Sequence, residues 1–251
     1  MSAFDFVVCI PARYASSRLP GKPLIKLKGK ELILWAIESA HNLGATEVVV
    51  ATDDQRILDF VEANGCQAVM TSEAHQSGTD RIAECAHLMG WGEATWVLNY
   101  QGDEPHIPLS NVNQVIELVK SRPEASIGTL YQAINNLDDL FNPNVVKLVT
   151  DDKNRAIYFS RAPIPWSQKF FKEPMHLPSD VEFKHHIGLY MYKVAFLKKF
   201  SQTPPSYLEQ TESLEQLRAL SSGETIVVAQ AIDKMPHGID TWDDVKKFES
   251  S

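Results

Sequence analysis

The chain has 251 residues, 44% hydrophobic and 22% charged, proportions of a globular protein able to bury a full core. Its net charge of −8 excludes a broad basic face for nucleic acid, and no apolar run is long enough for a membrane span. Cys9, Cys66 and Cys85 are widely spaced without a CxxC pair and read as reduced core residues. The first residues lead into an apolar run with no basic n-region, so a cytoplasmic protein lacking an export signal is expected.

Phe6 to Pro11 is a continuous apolar run that reads as a buried strand, and Ala12 to Pro23 as the loop that follows it. Ile33, Ala36, Ile37 and Ala40 recur at helical spacing and Gly44 closes the pattern, which predicts a helix near 31–43. A strand at 48–51 follows. Asp53-Asp54 then reads as the capping start of a helix stopped by Asn64-Gly65. A short strand near 68–70, a helix near 79–89 and a strand at 95–99 continue the alternation. Beyond residue 122 the pattern is mixed: strands at 145–149, 187–192 and 226–229, a Pro-rich loop over 163–178, and helices near 209–220 and 242–248. Such alternation predicts an α/β fold, a mostly parallel central sheet with helices on both faces, in one domain over 1–251. Ligands of open sheets sit outside the carboxyl ends of the strands, so the loops after Ile10, Ala51 and Tyr100 are the candidate site.

The loop from Pro11 to Pro23 brings small residues, hydroxyls, Arg13, Arg18 and Lys22 to a strand's carboxyl end. Small side chains let backbone N–H groups approach phosphates, and the cations neutralise phosphate oxygens, as a triphosphate site requires. Neither GxxxxGK[ST] nor GxGxxG occurs, so this is neither a Walker loop nor a dinucleotide fingerprint. Gln101-Gly102-Asp103-Glu104-Pro105 directly follows a strand, and Asp103 suits half of a Mg²⁺ site completed by substrate phosphates, although an isolated Gly-Asp is more often a turn. Gly238-Ile239-Asp240-Thr241 offers the second half, where Asp240 equally suits the cap of the last helix.

Together these segments resemble the 3-deoxy-manno-octulosonate (Kdo) cytidylyltransferases through nearly the entire chain. Pro11 to Leu24, Gln76 to Arg81, Gln101 to Pro105, Phe141 to Asn144, Tyr158 to Ala162, Leu214 to Arg218 and Ile239 to Thr241 match the family's motifs in order. The resemblance implies a nucleotide-diphospho-sugar transferase fold and the coupling of CTP to an acidic octulosonate sugar with release of pyrophosphate. It also implies supply of lipopolysaccharide precursors and a homodimer. By the same resemblance Arg13, Ser17, Lys22 and Arg81 hold CTP, with Lys22 on the phosphates, and Asp103 and Asp240 ligate magnesium. Gln101, Arg161, His186, Tyr190, Glu215 and Gln216 line the sugar pocket. The first 120 residues then serve mainly the nucleotide, and the remainder the sugar and dimerisation. On residue type alone His186 is a core histidine, Glu215 and Gln216 are mid-helix polar residues, and Asp53 and Asp54 are caps.

One departure concerns the sugar. The family pattern Arg-His-(Leu/Ile)-Gly-Ile-Tyr-Gly-Tyr-Arg is here His185-His186-Ile187-Gly188-Leu189-Tyr190-Met191-Tyr192-Lys193. An arginine would repel the ammonium of an 8-amino sugar by about 3 kcal/mol at about 5 Å and an effective dielectric of about 20, a roughly hundredfold effect. Its replacement by His185 therefore predicts acceptance of the 8-amino derivative, provided the changed side chains face the ligand. The competing readings are a nucleotidyltransferase for another acid of the sialic type, or a sugar or nucleotide sensor that needs no pair of metal-binding aspartates.

Overall fold

The computed structural model describes residues 4–15, 19–75, 77–172, 176–236 and 238–250. The first strand, β1 (Phe6–Ala12), alternates between two cores: Phe6, Val8 and Ile10 enter one, Val7 and Cys9 the other. Two short strands, β2 (Lys26–Leu27) and β3 (Lys30–Glu31), lead to α1 (Leu32–His41). Then β4 (Glu47–Thr52), α2 (Gln55–Ala63), β5 (Gln67–Met70), α3 (Gly78–Leu88) and β6 (Trp96–Asn99) follow as the hydrophobic pattern predicts.

The rest of the chain forms α4 (Leu109–Lys120), β7 (Ile127–Ala133), α5 (Leu137–Phe141), β8 (Lys147–Thr150), β9 (Ala156–Ser160) and β10 (Lys184–Lys193). It ends in α6 (Val194–Gln202), α7 (Tyr207–Glu212), α8 (Gln216–Ser221), β11 (Ile226–Gln230) and α9 (Trp242–Ser250). The one helix expected near 209–220 is thus two. Ser213 closes α7 at φ 52, in the left-handed region, and this turn sets Glu215 and Gln216 at the start of α8 rather than mid-helix.

The main sheet runs in the order β11-β7-β10-β6-β1-β4-β5, with β8 on β10 and β9 on β8. Within that path only β10 is antiparallel to its neighbours, β6 and β7; β1 with β4 and β6, β4 with β5, and β7 with β11 are parallel. Ile33, Ala36, Ile37 and Ala40 of α1, Ile57 and Val61 of α2, and Val112, Val115 and Val119 of α4 cover one face. Ile82, Cys85 and Ala86 of α3, Phe196, Leu197 and Phe200 of α6, and Leu217 of α8 cover the other. Cys9 and Cys85 are buried as expected; Cys66, just after the Asn64-Gly65 stop, is only partly covered because it lies at a surface turn. Among the described residues no helix is long and apolar enough to cross a membrane.

The close approach of α4 to β7 depends on Gly128, where a Cβ would stand 2.4 Å from Val119 Cγ1 and 3.4 Å from Val115 Cγ2. Gly128→Ala is therefore expected to overpack this contact and cost about 1–3 kcal/mol, read as a lower urea midpoint. An unchanged midpoint would contradict the packing described.

Candidate active site

Because β1 lies beside both β4 and β6, the loop after β1 and the Gln101–Glu104 turn after β6 open onto the same edge of the sheet. A third segment joins them from the far end of the chain. The Ile239 N–H donates to the Asp103 carbonyl over 2.9 Å, and Leu19, Leu27, Leu32, Ile239 and Val245 form a small core between the first loop and α9. The result is an ammonium held between two carboxylates: Lys22 Nζ lies 2.6 Å from Asp103 Oδ2 and 2.9 Å from Asp240 Oδ1.

Asp240 is not the cap of α9. Thr241 Oγ1 accepts from the Asp244 N–H, and Asp244 Oδ2 accepts from the N–H groups of Asp240 and Thr241, so the capping falls one residue later. Asp240 is left to face Lys22. Burial, reinforced by the Asp103 charge, raises the neighbouring Glu104 to about 7. Three acids around one lysine leave the corner rich in negative charge. Among the described residues no group of three or more His, Cys, Asp or Glu could hold a metal ion by itself. The two aspartates nevertheless suit Mg²⁺, which commonly takes one or two carboxylates and draws its other ligands from phosphate and water.

Beside this corner lies a cavity of about 490 Å³ lined by Ala12, Arg13, Lys22, Arg81, Gln101 and Asp103 among others. Arg13 stands exposed at its rim. Arg81, 1% exposed, comes from the first turns of α3 and is fixed from behind: Nη1 donates to Thr71 Oγ1 and Nη2 to Asp53 Oδ2, each over 2.5 Å. Asp53 is thus not a helix cap. Asp54 caps α2 by accepting from the Arg56 N–H, while Asp53 holds the arginine whose side chain reaches the cavity. Ser17, the remaining nucleotide candidate, lies outside the described residues.

A second cavity of about 710 Å³ meets the first at Gly78, Tyr190 and Glu215 and is also lined by His186, Gly188 and Gln216. Gln101 Nε2 donates to the Gly188 carbonyl over 2.7 Å, an approach that a Cβ on Gly188, 2.5 Å from that nitrogen, would block. Burial, with the nearby His185, lowers His186 to about 3, so the ring is a neutral hydrogen-bonding group beside Thr129 Oγ1 and the Phe159 and Tyr190 rings. Burial likewise raises the Tyr190 phenol, which stays protonated, and the Glu215 carboxyl, against the hydrogen bonds that Ser77 and Thr79 give it.

Arg161 is placed differently from the other sugar candidates. Its guanidinium donates to the carbonyls of Glu212, Pro143 and Ser213, tying the end of β9 to the α7–α8 turn, and it is not among the residues lining either cavity. The pleat of β10 also resolves where its departures point. Ile187, Leu189 and Met191 enter the core under α1 and α4, and Lys193 lies 6.0 Å from the ring of Trp96 in that same core. Met191 and Lys193 therefore face away from Tyr190, and His185, which alternates with His186, lines a separate cavity of about 780 Å³ rather than either of these two.

Residues 7–226 match the family model described as cytidylyltransferase. The chain is 48% identical to the 3-deoxy-manno-octulosonate cytidylyltransferase of Pseudomonas fluorescens over 243 residues, 96% of each protein. It is 48% identical to that of Xanthomonas axonopodis pv. citri, over 98% of this chain and 95% of the relative. The enzyme of the same name from Nitrosococcus oceani is 47% identical, over 97% of this chain and 95% of the relative. A solved structure of CMP:2-keto-3-deoxy-manno-octonic acid synthetase complexed with CTP superposes with a TM-score of 0.87 at 38% identity, over 98% of this chain and 97% of the other. The fold is thus that of a nucleotide-diphospho-sugar transferase. The chain belongs to the cytidylyltransferase family, within its 3-deoxy-manno-octulosonate branch.

The buried imidazole gives a pH test. The unfolded chain protonates His186 near the ordinary 6.5 but the folded chain only near 3, so below 6.5 the unfolded state binds more protons. This part of the stability is full above pH 6.5 and is lost as pH falls toward 3. His186→Gln is expected to flatten the stability–pH curve between pH 6.5 and 4, measured by urea unfolding. An unaltered slope would mean that the ring is not buried in its neutral form.

Proposed function

We propose that the protein couples CTP to the anomeric hydroxyl of Kdo, giving CMP-Kdo and pyrophosphate. One observation carries the reading: the cavity holding Arg13, Lys22 and Arg81, with the Asp103–Lys22–Asp240 corner on its wall, opens at Tyr190 and Glu215 into a second cavity where His186, Tyr190, Glu215 and Gln216 offer hydrogen-bonding groups. Cations and a carboxylate pair suit a triphosphate with its metal, and the adjoining space suits a polyhydroxylated acid. The relatives' name and the CTP in the neighbouring structure point the same way.

In this reading the sugar hydroxyl attacks the α-phosphorus in line with the departing pyrophosphate, and no protein nucleophile takes part. The first cavity positions the triphosphate: Arg13 and Arg81 carry fixed charge to it and Lys22 neutralises phosphate oxygens, with Ser17 kept as a nucleotide contact on the resemblance alone. Gln101, His186, Tyr190, Glu215 and Gln216 orient the sugar, His186 as a neutral partner and Glu215 through its carboxyl oxygens. Arg161 serves the sugar indirectly, by fixing the α7–α8 turn from which Glu215 and Gln216 project. Asp103 and Asp240 would hold Mg²⁺, which when bound absorbs charge on the phosphates and lowers the pKa of the attacking hydroxyl. Fixed charge and orientation supply most of the acceleration. The protein would act as a cytoplasmic homodimer in lipopolysaccharide precursor synthesis.

The 8-amino derivative of Kdo belongs to this reading as a second substrate. Loss of a repelling arginine at position 185 is no longer its support, because that position lines neither of the two cavities. Its support is the second cavity's own wall, where the guanidinium of Arg218 is already paired with Glu209 and Asp80 and the Glu215 carboxyl can accept a hydrogen bond. An ammonium there meets a hydrogen-bond acceptor and a compensated cation.

Pyrophosphate release with each nucleoside triphosphate, Mg²⁺ and a panel of acidic sugars tests the function. Turnover is expected with CTP and Kdo, abolished by EDTA and restored by Mg²⁺; preference for a sialic-type acid, or pyrophosphate release that survives EDTA, would contradict the reading. In a competition between Kdo and its 8-amino derivative, kcat/KM values within about tenfold, about 1.4 kcal/mol, are expected. A hundredfold preference for the 8-hydroxy sugar would remove the amino sugar from the account.

A further inference from the structure

The two cavities are joined by a buried charge cluster that the chemistry itself does not use. Arg218, on α8 and 5% exposed, donates through Nε and Nη2 to the two oxygens of Glu209 on α7, over 2.8 and 2.6 Å. Its Nη1 reaches Asp80 Oδ1 on α3 over 3.2 Å, and its guanidinium carbon lies 4.0 Å from the centroid of the Phe200 ring on α6. Asp80 is tied locally as well: Oδ2 accepts from Ser77 Oγ over 2.7 Å, and Ser77 caps α3 by accepting from the Asp80 N–H. One turn earlier on α8, Glu215 Oε2 accepts from the Thr79 N–H over 3.3 Å.

The first turn of α3 is therefore gripped from α8 at two points three residues apart, on one helix face. That turn carries Arg81 to the first cavity and the start of α8 carries Gln216 to the second, while Gly78 and Glu215 line both. Asp80 lines neither. Any displacement of the first turn of α3 bears on Arg218 through Asp80 and on Glu215 through the Thr79 N–H, both at the start of α8. Slippage would break the 3.2 Å bond between Arg218 and Asp80, whereas the Glu209 fork keeps Arg218 fixed to α7.

We propose that Asp80 and Arg218 are positioning residues that couple the two cavities, so that occupancy of the nucleotide cavity prepares the sugar cavity and the reverse. The inference rests on the functional reading above for the identity of the two ligands. Coupling of this kind is reciprocal: the factor by which the nucleotide tightens the sugar equals the factor by which the sugar tightens the nucleotide.

Calorimetric titration in Mg²⁺ tests it, with Kdo and a CTP analogue whose α,β-bridging oxygen is replaced by methylene so that no turnover occurs. For the wild-type chain, saturating analogue is expected to tighten Kdo by about 5- to 150-fold, with the same factor in the reverse titration. Asp80→Asn, nearly isosteric and still able to bond Ser77, is expected to bring that factor to within about twofold of unity while leaving the analogue's own Kd within about threefold. Arg218→Lys keeps the charge but loses the fork that spans Glu209 and Asp80, and is expected to do the same. In steady state both variants would raise KM for each substrate more than they lower kcat. A wild-type factor of one, or a factor in either folded variant equal to the wild type, would overturn the proposal. Failure of Kdo to bind the wild-type chain at all would instead overturn the functional reading, and this inference with it.

Discussion

The rest of the site is arranged around the ammonium of Lys22 between the carboxylates of Asp103 and Asp240, residues separated from it by 81 and 218 positions in the chain. Two carboxylates so close repel each other, and the lysine between them compensates that repulsion. The corner is only partly buried, with the Lys22 side chain 13% exposed, so it is desolvated enough for charge to matter and open enough to exchange partners. Everything that brings the three residues together is ordinary packing: the adjacency of β1 and β6, the backbone bond from Ile239 to Asp103, and the small core of Leu19, Leu27, Leu32, Ile239 and Val245.

Around this corner the protein separates two electrostatic environments. The first cavity carries permanent cations, and Arg81 is held by Asp53 and Thr71 so that its orientation is set before any ligand arrives. The second cavity, proposed above for the sugar, includes groups that burial keeps neutral, the imidazole of His186 and the phenol of Tyr190. Neutral hydrogen-bonding groups suit a substrate whose hydroxyls need direction more than charge. The shared wall at Gly78, Tyr190 and Glu215 is where the two environments meet.

How much of this was legible in the sequence follows from the range of the interactions. The strands β1, β4, β5 and β6 and the helices between them were, because hydrophobic spacing and helix stops are local signals: Val7 and Cys9 against Phe6, Val8 and Ile10, or Ile33, Ala36, Ile37 and Ala40 along α1; the two-residue strands β2 and β3 bury no such stripe and were not legible. Asp240 could be read two ways from its neighbours, and only the placement of Asp244 and Lys22 separates the cap from the site. Asp53 looked like a cap for the same reason; its partner Arg81 is 28 residues away and the pairing leaves no local trace. The break at Ser213 was not legible either, since a left-handed serine has no composition signal, and the leucines on both sides keep an apparent helical period. The direction of His185, Met191 and Lys193 depended on pleat parity, which the flanking residues of β10 resolve only once their cores are known.

The account's central claim is that Lys22, Asp103 and Asp240 act as one unit in turnover, and a double-mutant cycle between Lys22→Met and Asp240→Asn tests it most directly. Each single variant is expected to lose about 10²- to 10³-fold in kcat, with far-ultraviolet circular dichroism unchanged. The combined variant should lose no more than the worse single one, because removing either member already disables the corner. Losses that multiply would mean that the lysine and the aspartate act independently, and would contradict the account.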